Sequence, residues 1–241
     1  MSELRVNRSG RALTLILDRP AKRNALSAPL VEQLIDAVEG AYAEPTDLVE
    51  FRGEGRTFSA GFDFGGLAET TDGELLHRFV RIEHLLQLVH HAPFETAAFV
   101  HGKVFGAAAD LLCACSHRIA APGSAFRLPG LAFGIVLGTR RLAERVGSSA
   151  ARWIQGEGAV LDAETALRLG LLTELADPSD WDGRRDALAE RSGRLTTQAR
   201  ASFHRALTAD TADADLAELV RSASVPGLRQ RIQRFREEKA A

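Results

Sequence analysis

The stretch Val100–Asp110, with the sequence VHGKVFGAAAD, decides the fold class and points to a site. A strand-like apolar run, Thr96–Val100, enters it, and small residues then open a helix predicted over Gly106–Cys115. The first amides of a helix have no acceptor inside the helix, and the helix dipole adds partial positive charge there. The pattern therefore predicts a strand that leads into a helix start able to stabilise negative charge.

A second stretch, Arg56–Asp63 with the sequence RTFSAGFD, follows the strand-like run Asp47–Arg52. Its Gly61 permits a backbone bend that would point a peptide N–H into a cleft. Two such N–H groups facing each other would make an oxyanion hole for a carbonyl that becomes an enolate. Either stretch alone is also compatible with simple close packing. Assigning a function to them therefore depends on the other motifs of the chain and on their order, which are described below.

Strand and helix patterns alternate through the first two thirds of the chain. Leu4–Asn7 and Leu13–Leu17 are β-favouring runs around a Ser-Gly turn, which predicts a hairpin. Apolar residues three and four apart from Leu75 to Val89 predict a long amphipathic helix. After Leu137 most segments have helical patterns. The sequence predicts an α/β core followed by a helical C-terminal region.

Composition excludes several function classes. The chain has 241 residues, 45% of them apolar, with 30 basic against 32 acidic side chains and a net charge of −2. This balance favours no polyanionic partner, so nucleic-acid binding is not expected. No window approaches 18 uncharged apolar residues and the N-terminus lacks an apolar signal segment, so we expect a cytoplasmic protein without a membrane partner.

Cysteine and histidine spacings predict no metal site. Cys113 and Cys115 stand two apart, which suits neither a zinc CxxC pair nor a disulfide within one helix. They are expected to be buried, reduced thiols. His90 and His91 are adjacent and cannot share one helix face, which argues against a dedicated pair of metal ligands.

Five stretches, in this order, resemble the signatures of the crotonase (enoyl-CoA hydratase/isomerase) superfamily. The resemblance covers roughly residues 3–176. The stretches are Asp18–Ser27, Arg56–Asp63, Val100–Ala120, Phe126–Gly134 and Gly158–Leu172.

The resemblance implies a spiral of ββα turns at 1–176 and a helical region at 177–241 that serves trimerisation or covers the active site. It implies a homotrimer or dimer of trimers and a CoA thioester whose enolate is held by the amides of Phe62 and Ala107. Lys22 and Arg23 match a region that meets CoA phosphates, with a solvated loop as the alternative. No cofactor is implied beyond the coenzyme A of the substrate. The other substrate-binding positions that it implies are Ala25, Ala60, Gly61, Gly106 and Gly130.

The pattern breaks at the second of the two acids that hydratases of this family use. The first corresponds to Asp110, but the second position is Gly130, which cannot transfer a proton. Apolar neighbours predict a desolvated Asp110 with a raised pKa that suits acid–base catalysis. The alternative is a structural or helix-capping aspartate. If Gly130 occupies the glutamate position, a glutamate there would project toward the water site.

The sequence departs from the family pattern at other positions as well. The loop after Gly134 is shorter than the family's glycine-rich form, and His101 replaces a usual asparagine, which we interpret as a satisfied core histidine. Arg127 and Arg140 flank the vacated acid and are candidates for binding a substrate carboxylate.

Three functions follow from this combination. The first is an enzyme of the enoyl-CoA hydratase/isomerase type with a single acid, since one group can shuttle a proton if water or substrate supplies the second role. The second is hydrolysis or decarboxylation of a β-keto, β-diketone or carboxylated acyl substrate, which depends mainly on the oxyanion hole. The third is a catalytically degenerate CoA-binding or assembly subunit.

Overall fold

Two β-sheets organise the computed structural model, which describes residues 2–238. The larger sheet has the strand order β1-β2-β3-β4-β6-β9, and the smaller has the order β5-β7-β8. The strands are β1 Leu4–Ser9, β2 Ala12–Leu17, β3 Leu48–Gly53, β4 Glu95–Val100, β5 Lys103–Phe105, β6 His117–Ala120, β7 Ala125–Arg127, β8 Leu161–Asp162 and β9 Glu174–Leu175. β1 and β2 form the predicted antiparallel hairpin, and the remaining pairs of the larger sheet are parallel.

Helices connect these strands and then follow the last of them. They are α1 Ala28–Ala43, α2 Asp72–His90, α3 Ala107–Ala114, α4 Thr139–Gly156, α5 Ala163–Arg168, α6 Trp181–Gly193, α7 Thr197–Leu207, α8 Ala212–Ala223 and α9 Leu228–Glu238. Short 3₁₀ helices lie at Pro20–Lys22, Gly130–Phe133 and Pro178–Asp180. The predicted α/β fold with a helical C-terminal region is confirmed. The predicted ranges 1–176 and 177–241 include Met1 and residues 239–241, which lie outside the described residues.

Local sequence signals place the helix starts. Ser27 caps α1 by accepting from the Leu30 amide at 3.2 Å, and Asp162 caps α5 by accepting from the Thr165 amide at 2.7 Å. Thr71 and Glu74 form a capping box at the start of α2, with each side chain bonded to the other residue's amide. These contacts fix where each helix leaves its loop.

The main core lies between the larger sheet and the layer formed by α1, α2 and α3, and a second, smaller apolar cluster joins the sheet to α6. Cys113 and Cys115 are fully buried in the main core as free thiols, as predicted, and burial raises the pKa of each to about 12. Within residues 2–238, no helix has the length and apolar character needed to cross a membrane.

Two features bring distant segments toward one end of the core. Gly147 has φ 78° and ψ 155°, which breaks α4 into two helices. At the other feature, the carboxylate of Asp72 on α2 accepts the amides of Gly227, Leu228 and Arg229 at 2.8–3.1 Å. Asp72 thereby caps α9 from another part of the fold and fixes that helix against α2.

Candidate active site

A cavity of about 120 Å³ lies where α2, α3, α4 and α9 meet the loops after β3 and β7. Six phenylalanine side chains line it: Phe62, Phe64, Phe79, Phe105, Phe133 and Phe235. Five of them form a chain of ring contacts, with successive centroid distances of 4.4 Å from Phe79 to Phe62, 5.3 Å to Phe64, 6.4 Å to Phe133 and 5.0 Å to Phe235. The cavity is therefore mainly apolar, with a continuous row of aromatic rings along it.

The two loops predicted to carry the amide donors meet at this cavity. Gly61 has φ 82°, and a Cβ there would lie 2.2 Å from the Phe105 carbonyl oxygen and 3.1 Å from the Ala107 nitrogen. Only glycine permits this approach. Phe62 and Ala107 both line the cavity. In the part of the chain that the structure describes, their amides donate to no backbone acceptor.

A buried asparagine holds the first of these loops. Asn24 has φ 51°, a left-handed conformation that asparagine tolerates better than most residues. Its side-chain amide donates to the carbonyls of Thr57 and Glu54 at 2.9 and 2.8 Å, and its backbone carbonyl accepts from the Ser59 hydroxyl at 2.7 Å. Sequence analysis did not assign this role, although the asparagine stands within the first signature stretch.

The other predicted site residues divide into two groups. Ala60, Gly106 and Gly130 line the cavity, whereas Lys22, Arg23, Ala25 and Gly61 do not. Lys22 ends a short 3₁₀ helix and Arg23 follows it; both are exposed, and the Arg23 carbonyl accepts from the amide of Ala60 at 2.9 Å. Their assignment to CoA phosphates stays a prediction.

Asp110 lies on the first turn of α3 and faces the cavity, although it is only 6% exposed. Burial raises its pKa to about 7. The positive charge of Arg141 lowers that pKa, the negative charge of Glu83 raises it, and the Gly138 amide, which donates to the carboxylate, lowers it. The carboxylate thus binds the start of α4, as the structural alternative requires, and also lines the cavity.

A buried ion pair lies near Asp110. Arg141 on α4 binds Glu83 on α2 through both of its terminal nitrogens, at 3.0 and 2.5 Å, and Asp215 on α8 lies 3.6 Å away. Arg141 and Glu83 are 1% and 0% exposed. Sequence analysis missed this pair. The signal was a glutamate four residues after Phe79, on the apolar face of α2.

The arginines predicted to bind a substrate carboxylate are placed elsewhere. Arg140 pairs with Asp215 at 2.8 Å, and the Arg127 side chain donates to the Gly158 carbonyl at 3.1 Å. Neither lines the cavity. The structure gives that prediction no support at this cavity, because both guanidinium groups bind partners far along the chain.

Gly130 lies at the start of a 3₁₀ helix, and the chain folds back onto it. Its carbonyl accepts from the Ile135 amide at 2.9 Å, and a Cβ at position 130 would lie 2.9 Å from the Ile135 carbonyl oxygen. The short loop after Gly134 produces this contact. A glutamate would require the backbone to move, so the expected projection toward a water site is corrected.

His101 is half-buried outside the cavity. Its Nε2 lies 2.9 Å from the Gly55 carbonyl oxygen, and its ring packs 5.9 Å from that of Trp181. Its Nδ1 is buried without a partner among residues 2–238, so the histidine is only half satisfied.

The model of one protein family, enoyl-CoA hydratase/isomerase, matches residues 8–226. The chain belongs to the enoyl-CoA hydratase/isomerase family. Its crotonase-type fold is confirmed by the crystal structure of a Bordetella parapertussis protein described as an enoyl-CoA hydratase/isomerase. That structure is 47% identical, superposes with a TM-score of 0.96 and covers 98% of each chain.

Curated relatives of this family member are enzymes by name. The 2,3-dehydroadipyl-CoA hydratase of Escherichia coli is 33% identical over 189 residues, which cover 75% of this chain and 71% of the relative. A probable enoyl-CoA hydratase of Rhodobacter capsulatus is 32% identical over 227 residues, which cover 92% and 88%. The protein is an enzyme of the enoyl-CoA hydratase/isomerase type.

Proposed function

We propose that this enzyme binds a short, uncharged acyl-CoA and transfers a proton at its α-carbon through Asp110. The thioester oxygen would lie between the amides of Phe62 and Ala107. The observation that carries the proposal is that two amides without backbone acceptors and one buried carboxyl line the same small aromatic cavity. Removing an α-proton, or adding water to the β-carbon, places negative charge on that oxygen.

The amide donors supply the electrostatic part of the reaction. Their partial charges act in a cavity lined mostly by apolar residues, where hydrogen bonds to a developing oxyanion are stronger than in water. Loss of one such donor typically reduces kcat by about 10²–10³-fold. The left-handed Gly61 matters because it brings the Phe62 loop onto the start of α3.

Asp110 supplies the proton transfer. With a pKa raised to about 7 by burial, it exchanges protons readily near neutral pH. One carboxyl is sufficient for isomerisation, because it can take a proton from one carbon and return it to another. It also serves hydration if it accepts the water proton and returns it to the α-carbon. The absent second acid makes fast, two-carboxylate hydration the less suitable reaction.

The cavity's size and polarity define the acyl group. A volume of about 120 Å³ is close to that of an apolar cavity of about 150 Å³ that holds benzene. This suits an acyl group of about four to six carbons or a single aryl ring. No cation lines the cavity within residues 2–238, so a distal carboxylate, as in the substrate that the Escherichia coli relative is named for, would be buried without a partner.

The two rival functions have less support. Decarboxylation needs a carboxylated substrate, and both arginines suggested for it bind other groups. A degenerate subunit would gain from Asp110 only its contact with the start of α4, while the desolvated carboxyl costs folding free energy. Calorimetry with butyryl-CoA, glutaryl-CoA, butyrate and free CoA tests the proposal. Butyryl-CoA should bind most tightly, and the absence of binding by any thioester at millimolar concentration would refute it.

The assembly also remains a proposal, of a homotrimer or a dimer of trimers. Phe203 and Leu207, one turn apart on α7, are 52% and 69% exposed, which supports self-association through that helix. Sedimentation equilibrium of the wild type and of Leu207→Lys tests it. A monomeric wild type would refute it.

A further inference from the structure

The cavity has a second polar side chain that the mechanism above does not use. Among the lining residues of the described chain, only Asp110 and Gln155 have side chains with groups able to form hydrogen bonds. Gln155 is 8% exposed and lies between this cavity and a second pocket that Ser148 and Arg152 line. No side-chain hydrogen bond joins its amide to another residue within 2–238.

The break in α4 explains how Gln155 reaches this cavity. Gly138 precedes α4 and Gln155 lies in its last turn, yet both line the same cavity. An unbroken helix of 18 residues would be about 27 Å long and would carry these positions far apart. The extended ψ of 155° at Gly147 turns the second half of α4 back. The fold thereby places the two ends of one segment around one ligand site.

The Gln155 amide has no side-chain hydrogen bond in the described chain and keeps accessible surface at the pockets that the residue lines, so it is available to a ligand. Buried polar side chains almost always have hydrogen-bond partners, and leaving one unsatisfied is costly. A glutamine amide is uncharged and both donates and accepts, so its preferred partner is a neutral oxygen such as water or a hydroxyl. The remaining walls offer only apolar side chains and backbone groups.

We infer that Gln155 binds the oxygen that is added to, or leaves from, the β-carbon of the acyl group. The inference rests on the proposed function. Gln155 would supply the second polar group that Gly130 cannot. In hydration, the water oxygen forms a bond to the β-carbon and one water proton passes to Asp110. The double-bond electrons shift to make the thioester enolate, which then takes the proton back from Asp110 at the α-carbon. Gln155 holds the oxygen by hydrogen bonds and exchanges no proton.

Ligand binding tests this role without requiring turnover. Calorimetry compares 3-hydroxybutyryl-CoA with butyryl-CoA, on wild type, on Gln155→Met and on the control Gln233→Met, an exposed glutamine of α9. The wild type and the control should prefer the hydroxy ligand by about 3- to 10-fold, which corresponds to one neutral hydrogen bond. Gln155→Met should lose this preference, because its side chain offers no hydrogen bond to the β-oxygen.

The outcomes separate the two proposals. If butyryl-CoA binds and the hydroxyl preference is absent from the wild type or survives in Gln155→Met, the role of Gln155 is wrong and the proposed function stands. If no thioester binds, both are wrong. Should Gln155→Met fail to fold, Gln155→Asn withdraws the amide by one methylene, keeps its polarity and should lose the same preference.

Discussion

The backbone of Gly138 lies directly against the carboxylate of Asp110. A Cβ at position 138 would come within 2.2 Å of the carboxylate oxygen and 2.8 Å of its carbon. The Gly138 amide also donates to that carboxylate. The start of α4 therefore fixes where the carboxyl of α3 can be, and position 138 accepts no side chain while Asp110 stays in place.

Gly138→Ala should displace Asp110 from its position in the cavity. A displacement of about 1 Å at a reacting group can cost about 10²-fold in rate, so kcat/KM should fall by one to two orders of magnitude. The control is Gly156→Ala at the other end of α4, where an added Cβ meets no atom within 4 Å. Steady-state assays with melting curves check both, and equal activity of the two variants would contradict the contact.

The pH dependence of the reaction should report Asp110. Its carboxyl must be ionised to accept a proton, and burial raises its pKa to about 7. The value of kcat/KM should therefore rise with pH, reach half of its plateau near pH 7 and stay level above it. A plateau that already begins at pH 5 would show that another group, or an unshifted carboxyl, acts as the base.

Glu83→Gln should move this acid limb to lower pH. Glu83 raises the pKa of Asp110 by its negative charge, and its removal also frees Arg141 to attract the carboxylate. Both effects favour the ionised form. The broken buried pair should lower the free energy of unfolding by about 3–5 kcal/mol. The exposed Glu144→Gln is the control, and an unchanged acid limb in a folded Glu83→Gln would refute the coupling.

Gly130→Glu should destabilise the protein without restoring hydration. Its Cβ would press on the Ile135 carbonyl oxygen, and overpacking of this kind costs about 1–3 kcal/mol. The helical Gly183→Ala, where an added Cβ meets no atom, should be neutral or slightly stabilising. Chemical denaturation and a crotonyl-CoA hydration assay check both. Faster hydration by a stable Gly130→Glu protein would show that the loop moves easily.

Features that depend on residues close together in the chain could be predicted from the sequence. The desolvation of Asp110 and the small residues that open α3 are visible within a few positions. The ion pair of Glu83 with Arg141 joins residues 58 apart, and Arg140 finds its partner 75 residues away. Such pairings depend on how helices pack, which no local pattern encodes. The same limit hid Gln155, because its approach to the cavity depends on the turn at Gly147.

Hydrogen–deuterium exchange at the α-carbon of butyryl-CoA tests the central claim most directly, because it requires enolate formation but no complete reaction. In D₂O, followed by mass spectrometry, the wild type should exchange the α-protons. Asp110→Asn should lose this activity by about 10²–10⁴-fold while still binding butyryl-CoA. Exchange at the wild-type rate in a folded Asp110→Asn protein would contradict the account, because the proton transfer would then belong to another group.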